Sequence, residues 1–266
     1  MPQEELTDYQ RTFQPTTDLA SYFKAKDLFK VKWSVIENCN IRLFDIFICL
    51  NSVITDEFRK TDKEMAAFKR CISRAYKTLK NNRIIEDKFH NNGRSPEDVY
   101  YNWMRGYLVC TYFKKVIARA FGVSEGSIRQ FGADNLEELH RSKNPKKFKK
   151  GPAADFLIPK EYLENQSHDV LIEVQSGFTG INDIKQTKAT AADKRFKKDG
   201  TKTVVFHFDL YLGRLAIFEI TNLLHTGNWV TNDKLNGAQT QKIGEDMFVW
   251  NLDQPFPEDL PNPLAE

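Results

Sequence analysis

Two acids stand on otherwise apolar segments, and their neighbours define the chemistry open to this chain. Asp155 lies in AADFLIP and Glu173 in DVLIEVQS. A carboxylate flanked by Val, Ile and Leu is costly to bury alone, so each must meet a cation or bind a metal. In a strand, alternate side chains share a face. Leu171, Glu173 and Gln175 therefore share one face, and Val170, Ile172 and Val174 share the other, which packs inward. Glu173 and Gln175 stand roughly 7 Å apart along the strand. If the two strands are neighbours, Asp155 and Glu173 converge. Two carboxylates and the backbone carbonyl of Val174 are oxygen donors suited to Mg²⁺, with Mn²⁺ as a substitute. Such an ion lowers the pKa of a bound water and offsets charge on a phosphoryl centre. Gln175 is placed to orient the attacking water or the phosphate, and Lys185 or Lys188 adds a positive charge. Gly177 and Gly180 allow a sharp turn from the strand to a helix N-terminus, a favourable place for phosphate.

The charge around this stretch points to a polyanionic substrate. A net charge of +3 is too small to mark a partner by itself, but its distribution is uneven. Residues 141–150, RSKNPKKFKK, carry six cations and no anion, including Lys146, Lys147, Lys149 and Lys150. A second basic stretch holds Lys194, Arg195, Lys197, Lys198 and Lys202. One such run alone reads as a solvated face. Two runs bracketing an acidic site fit a nucleic-acid backbone.

The elements that must carry these residues follow from hydrophobic periodicity. Residues 43–58 are apolar enough for a buried helix, with some strand character from β-branched residues. Thr61 opens a second helix that closes at 80–83. Ser95-Pro96-Glu97-Asp98 is the clearest helix start, with a capping hydroxyl, proline at the first turn and two acids near the positive dipole end. That helix runs to Gly122 and is aromatic, which makes it the central packing element. A short strand at 127–131 and an acidic helical turn at 135–138 follow. Strands are predicted at 153–159, 170–176, 203–210, 214–221 and 247–252. Between the second and third lies one helix, capped by Asn182. The fold class is α/β or α+β, a mixed central sheet flanked by helices, with a helical N-terminal region. Residues 1–94 form that N-terminal region, which dimerises, wraps DNA or completes the core. Residues 95–258 form the core that carries Asp155 and Glu173. Within it, 222–246 is long and polar. Asn228, Asn232, Lys234, Asn236 and Gln239 there can read base edges in a major groove, and Trp229 can pack or stack. Asn182 joins them as a DNA-contacting candidate. The bland alternative for 222–246 is a surface hairpin.

Asp155 followed by Glu173-Val174-Gln175 resembles the PD-(D/E)XK nuclease motif, in its Glu-X-Gln form. The resemblance extends to type II restriction endonucleases and covers residues 95–220. Ala154 stands where the motif has proline, and Gln175 where it has lysine. The third catalytic role therefore falls to Gln175 or to a lysine of the following helix. The resemblance implies a restriction-endonuclease-like fold and Mg²⁺-dependent, sequence-specific hydrolysis of double-stranded DNA to 5′-phosphate and 3′-hydroxyl ends. It implies metal held by Asp155, Glu173 and the Val174 carbonyl, and catalysis by these acids with Gln175, Lys185 and Lys188. It also implies a homodimer and a cognate DNA methyltransferase in the host, without a stable complex. A structure-selective or repair nuclease of the same fold fits the same residues. The missing lysine also fits a DNA-binding protein with a decayed nuclease site.

Composition sets outer bounds. No run of about 18 apolar residues occurs, which predicts no transmembrane helix. The polar, acidic opening residues predict no secretory signal and a cytoplasmic location. Cys39, Cys49, Cys71 and Cys110 are scattered without C-x-x-C spacing, so free thiols are expected. His90, His140, His168, His207 and His225 show no ligand spacing and read as structural or surface residues. Glu97, Glu137 and Glu138 are the helical acids that could add a metal ligand, although Glu97 is better explained as a helix cap.

Overall fold

A computed structural model describes residues 33–84, 96–132, 135–142, 148, 154–178, 180–233, 237–260 and 264. The chain is a mixed α/β protein with a helical layer ahead of its main sheet. A short helix is also expected to open at Pro15-Thr16-Thr17-Asp18; that stretch and the cap Ser95 lie outside the described residues, as does most of the basic run at 141–150.

Three helices build the first layer: α1 (Trp33–Val53), α2 (Asp62–Asn81) and α3 (Pro96–Ala120). In α1, Ile36, Cys39, Leu43, Phe47 and Leu50 recur at three and four residues and are buried, so helix periodicity overrides the β-branched residues. Helix α2 starts with a capping box. The Thr61 hydroxyl accepts from the Glu64 N–H, and the Glu64 carboxylate accepts from the Thr61 N–H at 2.7 Å. Its buried stripe is Met65, Phe68, Ile72, Ala75 and Leu79. Helix α3 is buried on more than one side, which is why its sequence is aromatic rather than amphipathic. It packs on α1 and α2, and Phe113 stacks on Phe208 of the sheet with ring centroids 3.9 Å apart. Gly122, at φ +65°, adopts the left-handed turn that ends the helix.

The main sheet has six strands in the order β1-β2-β3-β5-β6-β9. These are β1 (Arg129–Gln130), β2 (Phe156–Ile158), β3 (Val170–Gly177), β5 (Lys202–Asp209), β6 (Arg214–Glu219) and β9 (Phe248–Asn251). A short helix, α4 (Leu136–Ser142), links β1 and β2. Among the described residues only β3 and β5 pair in parallel, with Glu173 opposite Val205 and Gln175 opposite His207. Their crossover contains α5 (Gln186–Asp199), so β3 is central and covered on both faces. Leu171 and Glu173 are accordingly as buried as Val170 and Ile172, and the sequence's inward and outward faces both become interior.

The route from β3 to α5 differs from the sequence reading. Asn182 does not cap the helix. Residues 183–185 form β4 (Asp183–Lys185), which pairs with β8 (Ala238–Lys242), and β8 pairs with β7 (Val230–Asn232). Lys185 occupies the cap position, and its side chain makes no capping hydrogen bond. The segment is extended because Ile184 is buried in a small core with Ala189, Ala192, Val205 and Ile220. Asn182 is itself buried and held by polar partners. Gly177 makes this tight passage fit: a β-carbon there would meet Asn182 Oδ1 at 3.1 Å. The second sheet carries the predicted polar segment, and α6 (Leu223–Thr226) leads into it. No helix among the described residues is long and apolar enough to cross a membrane. All four cysteines are free thiols, as expected.

Candidate active site

Asp155 lies one residue before β2, at the point where the β2–β3 ladder ends. Its backbone is held on both sides. Its N–H donates to the Ile172 carbonyl at 2.8 Å, and its carbonyl accepts from the Phe131 N–H at 2.8 Å. Its side chain then reaches across to β3, where Oδ2 accepts from the Val174 N–H at 2.8 Å. A side chain, rather than a backbone carbonyl, thus satisfies this strand amide. The bond fixes the carboxylate beside Glu173, the residue that precedes Val174.

Glu173 is 5% exposed. Lys188, two residues into α5, places Nζ 2.6 Å from Glu173 Oε1. This answers the desolvation problem set by a buried carboxylate. Helical geometry brings the lysine there, because α5 packs against β5, where Ala189 and Ala192 cover Val205, the residue opposite Glu173.

Asp155, Glu173, Val174 and Lys188 all line one cavity of about 190 Å³. The rest of its wall comes from α3, from β1 and the β1–α4 connection and from Phe156 of β2, including Trp103, Gly106, Tyr107, Gln130 and Asn135. Trp103 and Tyr107 stack at 5.2 Å with their planes 10° apart. Burial raises the Tyr107 phenol above its ordinary range, so it remains a hydroxyl. Gly106 leaves the wall open, since a β-carbon there would meet nothing within 4 Å.

The remaining sequence candidates are distributed differently. Gln175 shares the Glu173 face but is not part of the cavity wall; it sits opposite His207 and is half-buried. Lys185 is exposed at the start of α5, outside the cavity wall. Glu97 is fully buried, Glu137 is exposed and Glu138 pairs with Arg141, and none of the three lines the cavity. Lys194 lies on α5, beyond Lys188. Lys146, Lys147, Lys149, Lys150, Lys234 and Asn236 lie outside the described residues. Asn228 and Gln239 are exposed around the β7–β8 hairpin. Asn232 donates instead to Asp183, and Trp229 packs beside the small core, donating to the Leu224 carbonyl at 3.2 Å. Asn182 is 6% exposed, which removes it from the surface that a duplex could touch.

Asn182 belongs to a buried polar cluster further along the same sheet face. Its amide donates to Asp209 Oδ2 at 2.7 Å, and its Oδ1 lies 2.8 Å from His207 Nε2. With the amide nitrogen committed to Asp209, the imidazole must donate from Nε2. Arg214 pairs with Asp209 and Glu245 and lies 3.8 Å over the Phe248 ring. Desolvation lowers the His207 pKa to about 4, opposed by the nearby Asp209 charge.

The sequence did not mark Trp103, Tyr107, Gln130 or Asn135 as site residues. The one available signal was helical spacing: Trp103 and Tyr107 are four apart and Gly106 lies between them.

Chemically, the cavity offers two carboxylates and a strand backbone as hard oxygen donors, with a lysine against one acid. Among the described residues, no three His, Cys, Asp or Glu side chains gather as a metal-holding group. Two carboxylates are nevertheless compatible with Mg²⁺, which keeps waters and completes its shell from a substrate phosphate. The donor set thus fits that ion. Comparison with protein-family models, curated proteins and solved structures returns no match.

Proposed function

We propose that this chain is a metal-dependent endonuclease that hydrolyses double-stranded DNA, of the type II restriction class. The observation that carries this reading is the convergence of Asp155, Glu173 and Lys188 in one cavity. Asp155 and Glu173 hold the divalent ion. Bound there, Mg²⁺ supplies an activated water and charge neutralisation at phosphorus. Lys188 takes the role that the sequence left between Gln175 and a helix lysine. Its ammonium lies beside the metal-binding acid, on a flexible stem that can reach a phosphate oxygen. Asp155 is oriented by the Val174 N–H, which fixes its carboxylate at the cavity wall. The exposed ends of the β7–β8 hairpin supply base readout, and cutting both strands of a symmetric site calls for a homodimer.

The test is plasmid DNA incubated with the protein and Mg²⁺. Discrete fragments support the reading. Smearing, or preference for branched DNA, moves it to a structure-selective or repair nuclease. Binding without cutting in Mg²⁺ and Mn²⁺ makes the chain a DNA-binding module. Asp155→Asn keeps a side-chain acceptor for the Val174 N–H but removes the charge. It should fold and bind DNA while cutting falls by at least about 100-fold, the scale on which catalytic electrostatic groups act. Cutting at the original rate would overturn the site assignment.

A further inference from the structure

The helical layer has a second concave feature. Helix α2 and the end of α4 enclose a groove of about 510 Å³ lined by Arg70, Ser73, Arg74, Lys77, Asn81 and His140. Along residues 65–83 there are six cations (Lys69, Arg70, Arg74, Lys77, Lys80 and Arg83) and no acid. The α2 acids, Asp62 and Glu64, sit in its first turn. Arg70, Arg74, Lys77 and Asn81 follow one another at spacings of four, three and four, which places them on one helix face. That face opposes the buried stripe of Met65, Phe68, Ile72 and Leu79. The ion pairs formed among the described residues do not involve Arg70, Arg74 or Lys77.

The groove adjoins the candidate active site through α4. Asn135, just before α4, lines the active-site cavity, and His140 near its other end lines the groove. Five residues of helix separate them, about 7.5 Å of rise. That is about the axial advance of two phosphates on one DNA strand. Arg74 is also close enough to act electrostatically on the Tyr107 hydroxyl, which belongs to the cavity wall. A surface helix usually intersperses both charge signs. A groove with cations on one wall and hydrogen-bond donors on both fits a chain of phosphates.

We infer that the α2–α4 groove is a phosphate-backbone track for duplex DNA, seating the strand that flanks the scissile bond. The inference rests on the nuclease reading for the identity of the polyanion, and it gives the helical N-terminal region a function beyond completing the core. These contacts carry no sequence information.

The experiment measures binding of a short labelled duplex, without divalent metal, between about 50 and 200 mM salt. The triple variant Arg70→Gln, Arg74→Gln, Lys77→Gln should lower the slope of log affinity against log salt by about 2 to 3. At about 0.1 M salt its affinity should fall by roughly two orders of magnitude, equally for all sequences. The charge-conserving triple Arg70→Lys, Arg74→Lys, Lys77→Arg should keep the wild-type slope, which separates lost charge from lost fold. An unchanged slope in the glutamine variant overturns the track, and so does a wild-type protein that binds no duplex at low salt. If plasmid is cut but the slope does not change, the track fails and the nuclease reading stands. If the slope falls but no plasmid is ever cut, the track stands and the nuclease reading fails.

Discussion

Lys188 Nζ lies 2.6 Å from Glu173 Oε1 in a pair whose acid is almost wholly buried. Truncating Lys188 removes the ammonium beside a buried carboxylate, whereas a Gln at 173 needs no cation. Lys188→Ala should therefore lose about 1–3 kcal/mol, below the cost of breaking a fully buried pair because the lysine is partly exposed. Glu173→Gln in the Lys188→Ala background should recover much of that loss without recovering cleavage. Urea unfolding of the two single variants and the double variant, run beside plasmid assays, separates the structural role from the chemical one. Recovery of cleavage in the double variant would falsify a metal role for Glu173.

Gly106 tests whether the cavity is where DNA reacts. It lies inside α3, where glycine costs about 1 kcal/mol against alanine, and a β-carbon there meets nothing within 4 Å. Gly106→Ala should raise stability by up to about 1 kcal/mol and keep cleavage. Gly106→Leu should fold, because the space is empty, yet fill the cavity and suppress cutting while leaving DNA affinity within a few-fold. A fully active leucine variant would move the reaction elsewhere.

His207 sets an acid limit on stability. Burial holds its folded pKa at about 4, against about 6.5 in an unfolded chain. Between those values the unfolded chain binds the extra proton and the folded one does not, so stability falls as pH drops through that window. The full contribution is on the order of 3 kcal/mol, present above about pH 6.5 and lost by about pH 4. The charges around the imidazole are Asp209, Arg214 and Asp183. Denaturant unfolding from pH 7 to 4.5 should show the decline in the wild type and a flatter profile in His207→Gln. Parallel profiles would contradict this origin.

The β7–β8 hairpin yields a contrast between its own residues. Asn228 and Gln239 are exposed, so alanine at either should leave stability nearly unchanged. Each should relax discrimination at one base pair by about 1–3 kcal/mol, measured as cleavage of cognate against single-mismatch duplexes. Asn232 donates to Asp183, so Asn232→Ala should cost about 1 kcal/mol of stability before any effect on selectivity. Selectivity unchanged in all three variants would return the hairpin to an ordinary surface element.

The parts of this fold legible in the sequence were those set by local rules. Thr61 and Glu64 announce α2, Pro96 announces α3, and strands with alternating or continuous apolar residues occur close to their predicted bounds. Asp155 and Glu173 stood out because acids rarely sit unaided in apolar strands. What escaped prediction depends on contacts far apart in the chain. Asn182 looks like a helix cap until β8, more than fifty residues later, pairs with residues 183–185. Lys188 could not be preferred over Lys185 until α5 was laid against β5, the strand beside Glu173. Trp103, Gln130 and Asn135 meet only when α3, β1 and α4 close around one space, and no local pattern encodes that meeting.

The hydrogen bond from the Val174 amide to the Asp155 side chain makes one backbone proton a witness to the site. Its exchange with solvent deuterium is governed by the Asp155 carboxylate and not by the strand ladder on that edge. An Asp155→Ala protein should therefore exchange the Val174 amide much faster while Ile172 and its neighbours keep their protection. The integrity of the cavity around Asp155 and Glu173 can then be followed at a single amide, with no ligand added.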